Sequence, residues 1–280
     1  MRLIFLLLSP VKVSIAEPII IRILNFYPFN RVLKKTSFYK ISLVNISMCF
    51  QNNSPKENEQ IAYNSFIESI ISIYETLYSW SRSEQQIATM LFKQRNRFLL
   101  SRNKKALNYS IHNRSIDLLL SFFMLQNTAT TLYKPIKYSR IDRYVIKQRT
   151  KKNNTVATAS ISGVKAVLKS LKDGRSVCFA ADQVPANRLG QVSHFFNQKC
   201  YSSHLVEAIS SRKGIATCFT YLTKSDHGYE VVTKNYQQKP LKTNDMNKVF
   251  ESAIIKNPKE YAWEYKKFRK IPENKNLYKL

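Results

Sequence analysis

The chain has 280 residues, of which 44% are hydrophobic, so it can bury a sizeable core and is not a globally disordered protein. Lysine and arginine number 45 against 18 acidic residues, which gives a formal net charge of +27. This charge would attract phosphate-bearing partners, anionic membranes or acidic proteins. Nucleic acid is the first candidate from charge alone, but the basic residues are spread along the chain rather than concentrated in one arm.

The four cysteines do not predict a metal site. Cys49, Cys178, Cys200 and Cys218 show no C-x-x-C spacing, and no histidine lies at zinc-finger spacing from them. Cys178 and Cys218 lie within apolar runs and are predicted to be core residues. We expect reduced thiols and a cytoplasmic compartment for the main body of the protein.

The first 33 residues are apolar but interrupted. Lys12, Glu17 and Arg22 break the region, and no uncharged run approaches the roughly 18 residues of a membrane-spanning helix. Three interpretations are open: a signal peptide cleaved near 14–16, a helix in or partly through the membrane, or a buried helix pair broken at prolines. Because Lys12 lies just before the cleavage site and no disulfide framework follows, we favour membrane association of residues 1–33, ahead of a single domain over 34–280.

A long helix is predicted after the turn at 52–55. Ser54 and Glu57 form an S-x-x-E capping box at its start. Apolar residues then recur at three-to-four spacing to about residue 80, and the charged stretch 81–97 is predicted to continue as helix. No residue in this region suggests a particular chemistry.

Short apolar runs alternate with helical patterns from residue 107 onward. Strands are predicted over 107–111, 130–136, 156–160, 176–181, 216–223 and 229–233, the last two joined by a turn at 226–228; helices are predicted over 118–126, from Ser162 and Gly163 to Gly174, and over 203–212. This alternation predicts a mostly parallel or mixed sheet covered by helices. Ligands bind such folds at the carboxyl ends of the strands, where both His112 and Asp182 are predicted to lie.

His112 and Asp117 form an H-x4-D pattern. On one continuous helix the two side chains would point about 140° apart, so they can meet only if His112 precedes the helix and Asp117 lies in its first turn. A carboxylate on one imidazole nitrogen raises the basicity of the other, which suits deprotonation of a hydroxyl. The alternative is a surface histidine followed by an ordinary core helix. Neither a G-x-S-x-G elbow nor a P-loop motif occurs.

Several motifs, taken in order, resemble the bacterial late acyltransferases of lipid A biosynthesis, within the larger H-x4-D/E acyltransferase group. They extend over most of the chain: NISMCF at 45–50, HNRSID at 112–117, YKP at 133–135, IDR at 141–143 with Arg149, KDG at 172–174, DQ at 182–183, FF at 195–196, and NPKEYAW at 257–263 with KF at 267–268. No one of these motifs is decisive by itself. Their shared order and spacing carry the resemblance.

The resemblance implies a glycerolipid-acyltransferase-like α/β fold, with a mixed, mostly parallel sheet flanked by helices and an apolar helical N-terminal region. It implies transfer of a fatty acyl chain from acyl carrier protein to a hydroxyl of a phosphorylated lipid A precursor, at the cytoplasmic face of the inner membrane and without a cofactor. His112 would be the general base and Asp117 its partner. Arg149, Asp182 and Lys134 would bind substrate, with Arg149 contacting a phosphate or the developing oxyanion.

The chain departs from the family pattern at several positions. Residues 113–116 replace a G-N-W-like filler, Ile111 replaces a glycine, and Lys134 replaces an arginine, so that a point charge stands where a bidentate fork is usual. A catalytically weakened, lipid-binding homologue is therefore one alternative. A basic nucleic-acid-binding protein is the other, although no nucleic-acid motif is present.

The segment 257–270 is predicted to form a capped helix. Asn257 and Glu260 would cap it, with Pro258 at its first position. Its aromatic residues lie among lysines, an arrangement that suits a bilayer interface. The alternative is an amphipathic helix packed against the domain.

Overall fold

A six-stranded sheet lies at the centre of the computed structural model, which describes residues 12–91, 106–126, 128–151, 154–186, 188–226, 228–235 and 240–280. Its strands are β1 (Ala106–Ser110), β2 (Ala129–Tyr133), β3 (Thr155–Thr158), β4 (Ser176–Ala180), β7 (Ala216–Ser225) and β8 (Gly228–Asn235), and a separate hairpin pairs β5 (Gly190–Phe195) with β6 (Gln198–Ser203). The strand order is β3-β2-β4-β1-β7-β8. Only the β7–β8 pair of this sheet is antiparallel, so the predicted mixed, mostly parallel sheet is confirmed.

Helices cover both faces of the sheet. They are α1 (Val13–Asn25), α2 (Tyr27–Leu33), α3 (Ser37–Cys49), α4 (Pro55–Ser81), α5 (Glu84–Met90), α6 (Ile116–Gln126), α7 (Ser139–Arg149), α8 (Ile161–Lys172), α9 (Leu205–Ser210) and α10 (Thr243–Ile254). Alternate side chains of β4 divide between two cores: Val177 and Phe179 join the α8–α9–α10 side, whereas Cys178 packs with α6. This alternation is what a sheet buried on both faces requires, and Cys178 and Cys218 are core residues as predicted.

The long predicted helix is confirmed as α4. Ser54 Oγ accepts a hydrogen bond from the Glu57 backbone amide, and the Glu57 carboxylate accepts one from the Ser54 amide. The predicted continuation over 81–97 is interrupted: α4 ends at Ser81, and a second capping box at Ser83 starts the separate helix α5, Glu84–Met90. Residues 92–97 of that prediction lie outside the described residues.

The N-terminal region is helical and apolar from Val13 onward. Its helices α1 and α2, with Phe26 between them, expose a row of large apolar side chains: Ile15, Ile19, Ile23, Phe26, Phe29 and Val32. No helix among the described residues is long and apolar enough to cross a membrane. Most of the predicted leader-like stretch, residues 2–11, lies outside the described part of the chain.

The prediction of a C-terminal helix over 257–270 is wrong. A single 3-10 turn, Pro258–Glu260, is followed by turns, and the Asn257 side chain makes no cap hydrogen bond. Tyr261 and Trp263 are buried and pack edge-to-face, and Trp263 packs on Phe50. Because these aromatic residues fill the core, they are not available to a bilayer interface.

Candidate active site

Strand register brings His112 and Asp182 together. In the parallel pair β1–β4, Ser110 lies opposite Ala180, so each of the two residues lies two positions beyond a matched pair. The imidazole Nδ1 of His112 lies 2.7 Å from Asp182 Oδ1, and the His112 backbone amide donates to Asp182 Oδ2 at 3.1 Å. One carboxylate therefore holds both the ring and the backbone of His112.

The surroundings of His112 favour one tautomer. With Asp182 accepting from Nδ1–H, the other nitrogen, Nε2, carries the lone pair, and the Gln183 amide nitrogen lies 3.2 Å from it. Burial by itself would lower the pKa of His112, but the Asp182 carboxylate outweighs it, and the pKa is raised above its ordinary value. Burial would likewise raise the pKa of Asp182, but the imidazole outweighs that effect and the pKa is lowered.

The downstream segment fixes Asp182 from the other side. Lys267 Nζ donates to the Asp182 backbone carbonyl at 2.5 Å, and both residues are buried. Two residues after Asp182, the backbone amide of Val184 donates a hydrogen bond to the Tyr265 hydroxyl at 3.0 Å. Asp182 is thus held by strand pairing and by residues far along the chain.

The structure corrects the expected partner of His112. Asp117 lies in the first turn of α6, as predicted, but its two carboxylate oxygens accept from Arg149 Nε at 2.7 Å and Arg149 Nη2 at 2.8 Å. The Asp117 carboxylate, which the sequence pattern predicted as the partner of the His112 imidazole, is therefore engaged in a bidentate pair with Arg149. The Arg149 guanidinium also lies over the Tyr133 ring, 5.0 Å from its centroid. Asp117 therefore orients Arg149, and Asp182 takes the place beside His112.

The filler between His112 and Asp117 is anchored by a buried charge cluster. Arg114 has a left-handed backbone conformation, with φ of 55°, and its guanidinium binds the carboxylates of Glu68, Glu75 and Glu260. The Tyr229 hydroxyl donates to the same Glu75 carboxylate. Burial raises the pKa of Glu75 despite the opposing effect of Arg114. Motif matching alone could not reveal this cluster, because its members lie on four separate segments.

A cavity of about 790 Å³ opens at His112 and Arg149. We call it the main cavity. Apolar side chains line it, among them Leu119, Leu120, Leu132, Val164, Leu168 and Phe179, and cationic residues also contribute: Lys134, Arg149, Arg212, Arg269 and Lys270. Lys134, one of the predicted substrate-binding residues, is exposed and contacts this cavity. Such a cavity accommodates an apolar chain that carries an anionic group.

The predicted site residues therefore meet at one end of the sheet. His112, Arg149 and Lys134 line the main cavity, and Asp117 and Asp182 each hold one of those residues from behind. Within the described residues, no group of three histidine, cysteine or acidic side chains is placed to hold a metal ion. The arrangement supplies a polarised imidazole and a fixed guanidinium beside an apolar chamber.

The site defines a class of proteins suited to act on acyl chains. It combines an α/β sheet, a histidine at a strand end and an apolar cavity lined in part by cations. The sequence matches the family model described as bacterial lipid A biosynthesis acyltransferase over residues 13–270. The chain belongs to that family, and it is an acyltransferase of lipid A biosynthesis.

Curated relatives agree with this assignment. The chain is 22% identical over 244 residues to the lipid A biosynthesis palmitoleoyltransferase of Escherichia coli strain K12, covering 83% of this chain and 79% of that protein. The same values hold for a lipid A biosynthesis acyltransferase of Shigella flexneri. It is also 22% identical over 246 residues to the lipid A biosynthesis lauroyltransferase of Escherichia coli strain K12, covering 84% and 80%.

Proposed function

We propose that the protein transfers a fatty acyl chain from acyl carrier protein to a hydroxyl of a phosphorylated lipid A precursor, with His112 as general base. The observation that carries this proposal is the His112–Asp182 pair at the main cavity. The Nε2 atom of His112 removes the proton of the acceptor hydroxyl while the hydroxyl oxygen attacks the thioester carbonyl carbon. The carbon–sulfur bond then breaks, and the imidazolium returns the proton to the leaving thiolate.

Arg149 supplies the positive charge beside this reaction. Its bidentate pairing with Asp117 fixes the guanidinium before substrate arrives, and a preorganised cation stabilises the oxyanion that forms at the thioester carbon. Lys134, exposed on the main cavity, binds a phosphate of one of the substrates. Asp182 acts through His112 rather than on substrate.

The charge and the exposed apolar residues support the partners. An acyl carrier protein is acidic, and a net charge of +27 would accelerate its encounter with the enzyme. Residues 1–33 form the membrane-associating segment, because α1 and α2 expose apolar residues beside Arg22, Arg31, Lys34 and Lys35. Residues 34–280 form the catalytic domain, which works at the cytoplasmic face of the bacterial inner membrane.

A transfer assay tests the proposal. Purified protein with radiolabelled acyl carrier protein thioester and a phosphorylated lipid A precursor is expected to yield acylated lipid, whereas a precursor lacking the free hydroxyl is expected to remain unlabelled. Membrane partition without product would instead support a weakened, lipid-binding homologue. Tight binding of duplex DNA that weakens steeply with salt, again without product, would support the nucleic-acid alternative.

Replacing Arg149 with lysine is expected to lower kcat/KM by roughly 100-fold, the loss typical for removing one donor to a developing oxyanion. Lysine keeps the charge but cannot make the two parallel hydrogen bonds to Asp117. The matched control is Arg140→Lys, an exposed position on the same helix α7. Steady-state kinetics that find equal losses in both variants, or none in Arg149→Lys, would contradict the assigned role.

A further inference from the structure

A second cavity, of about 350 Å³, meets the main cavity at His112. Its walls come from α3, α4, the start of α6 and the segment 260–264, with apolar contributions from Phe38, Phe66, Ile70, Ile73 and Ile116. His112 lines both chambers. A general base that faces two apolar chambers can receive one substrate from each.

The two cavities differ in charge. Lys134, Arg149, Arg212, Arg269 and Lys270 contact the main cavity. The charged residues of the second cavity are Glu68, Glu260, Glu264 and Arg114 besides His112. Arg114 and Lys259 offset only part of this negative charge, because they are shared among Glu68, Glu75 and Glu260. A phosphate is therefore favoured in the main cavity and disfavoured in the second, which suits a neutral chain with a hydroxyl.

Glu264 brings a hydrogen-bonding group to the second cavity beside His112. Its Oε2 accepts a hydrogen bond from Ser69 Oγ at 3.1 Å, which fixes the carboxyl in place. Burial raises the pKa of Glu264, and its charge contributes to the raised pKa of His112. A carboxyl held beside a general base can accept or donate a hydrogen bond to a substrate hydroxyl.

The second cavity opens beside the exposed apolar surface of the N-terminal helices. Ile73 is 62% exposed and Phe38 is 58% exposed, and both line this cavity. Phe38 lies at the start of α3, directly after α2, whose Phe29 and Val32 are also exposed. Exposed basic residues of the same region include Arg31, Lys34 and Lys35. An apolar surface with a basic margin fits an anionic bilayer.

We infer that the second cavity is the acceptor site: it takes the hydroxylated acyl chain of the membrane lipid over Phe38 and Ile73, and Glu264 orients the hydroxyl toward His112. The donor acyl chain occupies the main cavity, whose cations meet the phosphate of its carrier. This inference rests on the proposed function, since it divides the two substrates of that reaction between the two chambers. It predicts that lipid enters from the side of the bilayer while the carrier protein docks from water.

Two substitutions test the assignment by their separate effects on the KM for the lipid acceptor and the KM for the acyl donor. Ile73→Trp fills the opening of the second cavity, and Glu264→Gln removes the charge while keeping the shape. Each is expected to raise the KM for the lipid acceptor by roughly tenfold, the effect of losing one hydrogen bond to a charged group or one apolar contact region, with little change in the KM for the acyl carrier protein thioester. The matched control is Ile161→Trp, an exposed isoleucine that lines neither cavity. A raised donor KM with an unchanged acceptor KM would overturn the inference.

A second measurement does not depend on turnover. A 3-hydroxytetradecanoyl glycolipid with a diazirine in its chain, carried in phosphatidylglycerol vesicles, is expected to label the α4 wall between residues 66 and 76 in the full-length protein. Labelling of the α8 wall of the main cavity instead would overturn the inference. If the α4 wall is labelled but no acyl transfer occurs in any assay, the proposed function fails while the lipid site stands.

Discussion

His112→Ala is expected to lower kcat/KM for acyl transfer by roughly 10³-fold, the contribution usual for a positioned general base. Asp182→Asn is also expected to reduce it, because an amide can offer its N–H to Nδ1 and so favour the wrong tautomer. The measurement is steady-state kinetics with acyl carrier protein thioester and lipid acceptor. Undiminished activity in His112→Ala would exclude the proposed mechanism.

The pH dependence separates Asp182 from Asp117. Since the pKa of His112 is raised above its ordinary value of 6.5, the base becomes protonated, and activity falls, as the pH drops through a midpoint above 6.5. Asp182→Asn removes the main group that raises this pKa, so the midpoint is expected to move to lower pH. Asp117→Asn frees Arg149, whose charge lowers the pKa of His112, and should reduce the rate with a smaller shift of the midpoint than Asp182→Asn. A midpoint that shifts in Asp117→Asn and not in Asp182→Asn would restore Asp117 as the partner of the imidazole.

Arg114→Met is expected to destabilise the protein by about 3–5 kcal/mol, the cost of breaking a buried ion pair from one side. Methionine keeps a long side chain and leaves the left-handed backbone of position 114 unrelieved, so the loss reports the charge. Without the guanidinium, Glu75 and Glu260 remain buried and lose the cation that pairs with them. Urea unfolding followed by circular dichroism gives the change in the free energy of unfolding.

Arg188 provides the control for this prediction. It also has a left-handed backbone conformation, with φ of 70°, but it is exposed, so Arg188→Met should change stability by less than about 0.5 kcal/mol. The double variant Arg114→Met/Glu75→Gln should recover part of the lost stability, because it removes one stranded charge. Equal effects at both arginines would mean that the buried charge of Arg114 does not determine the cost.

The sheet was predictable from sequence because its strands are short β-branched or aromatic runs ended by turn residues. The partner of His112 was not, because it depends on which strands are neighbours. Two strands and three helices separate β1 from β4 along the chain, yet they pair in parallel with Ser110 opposite Ala180. The H-x4-D spacing predicted Asp117 as the carboxylate partner of His112. In the fold the partner is Asp182, which lies 70 residues further along the chain.

The β5–β6 hairpin and the C-terminal segment show a second limit of sequence patterns. Phe196 and Asn197 both take left-handed backbone conformations at the hairpin turn, and a phenylalanine there gives no turn signal. Phe196 is held instead by tertiary contacts: its ring packs on Phe50, and its backbone amide donates a hydrogen bond to the Glu251 carboxylate. Likewise, Trp263 suggested a bilayer interface by composition, but packing on Phe50 and Phe196 buries it. In both places tertiary packing overrides local preference.

The segment 260–267 completes the site, so the site can assemble only after this segment has been synthesised. Arg114 finds Glu260 across 146 residues, and Asn45 donates to the Trp263 carbonyl across 218. Closing such long loops is slow, and a ribosome must have passed Lys267 before Asp182 receives its last partner. A nascent chain that has made only the H-x4-D stretch therefore holds an unassembled base.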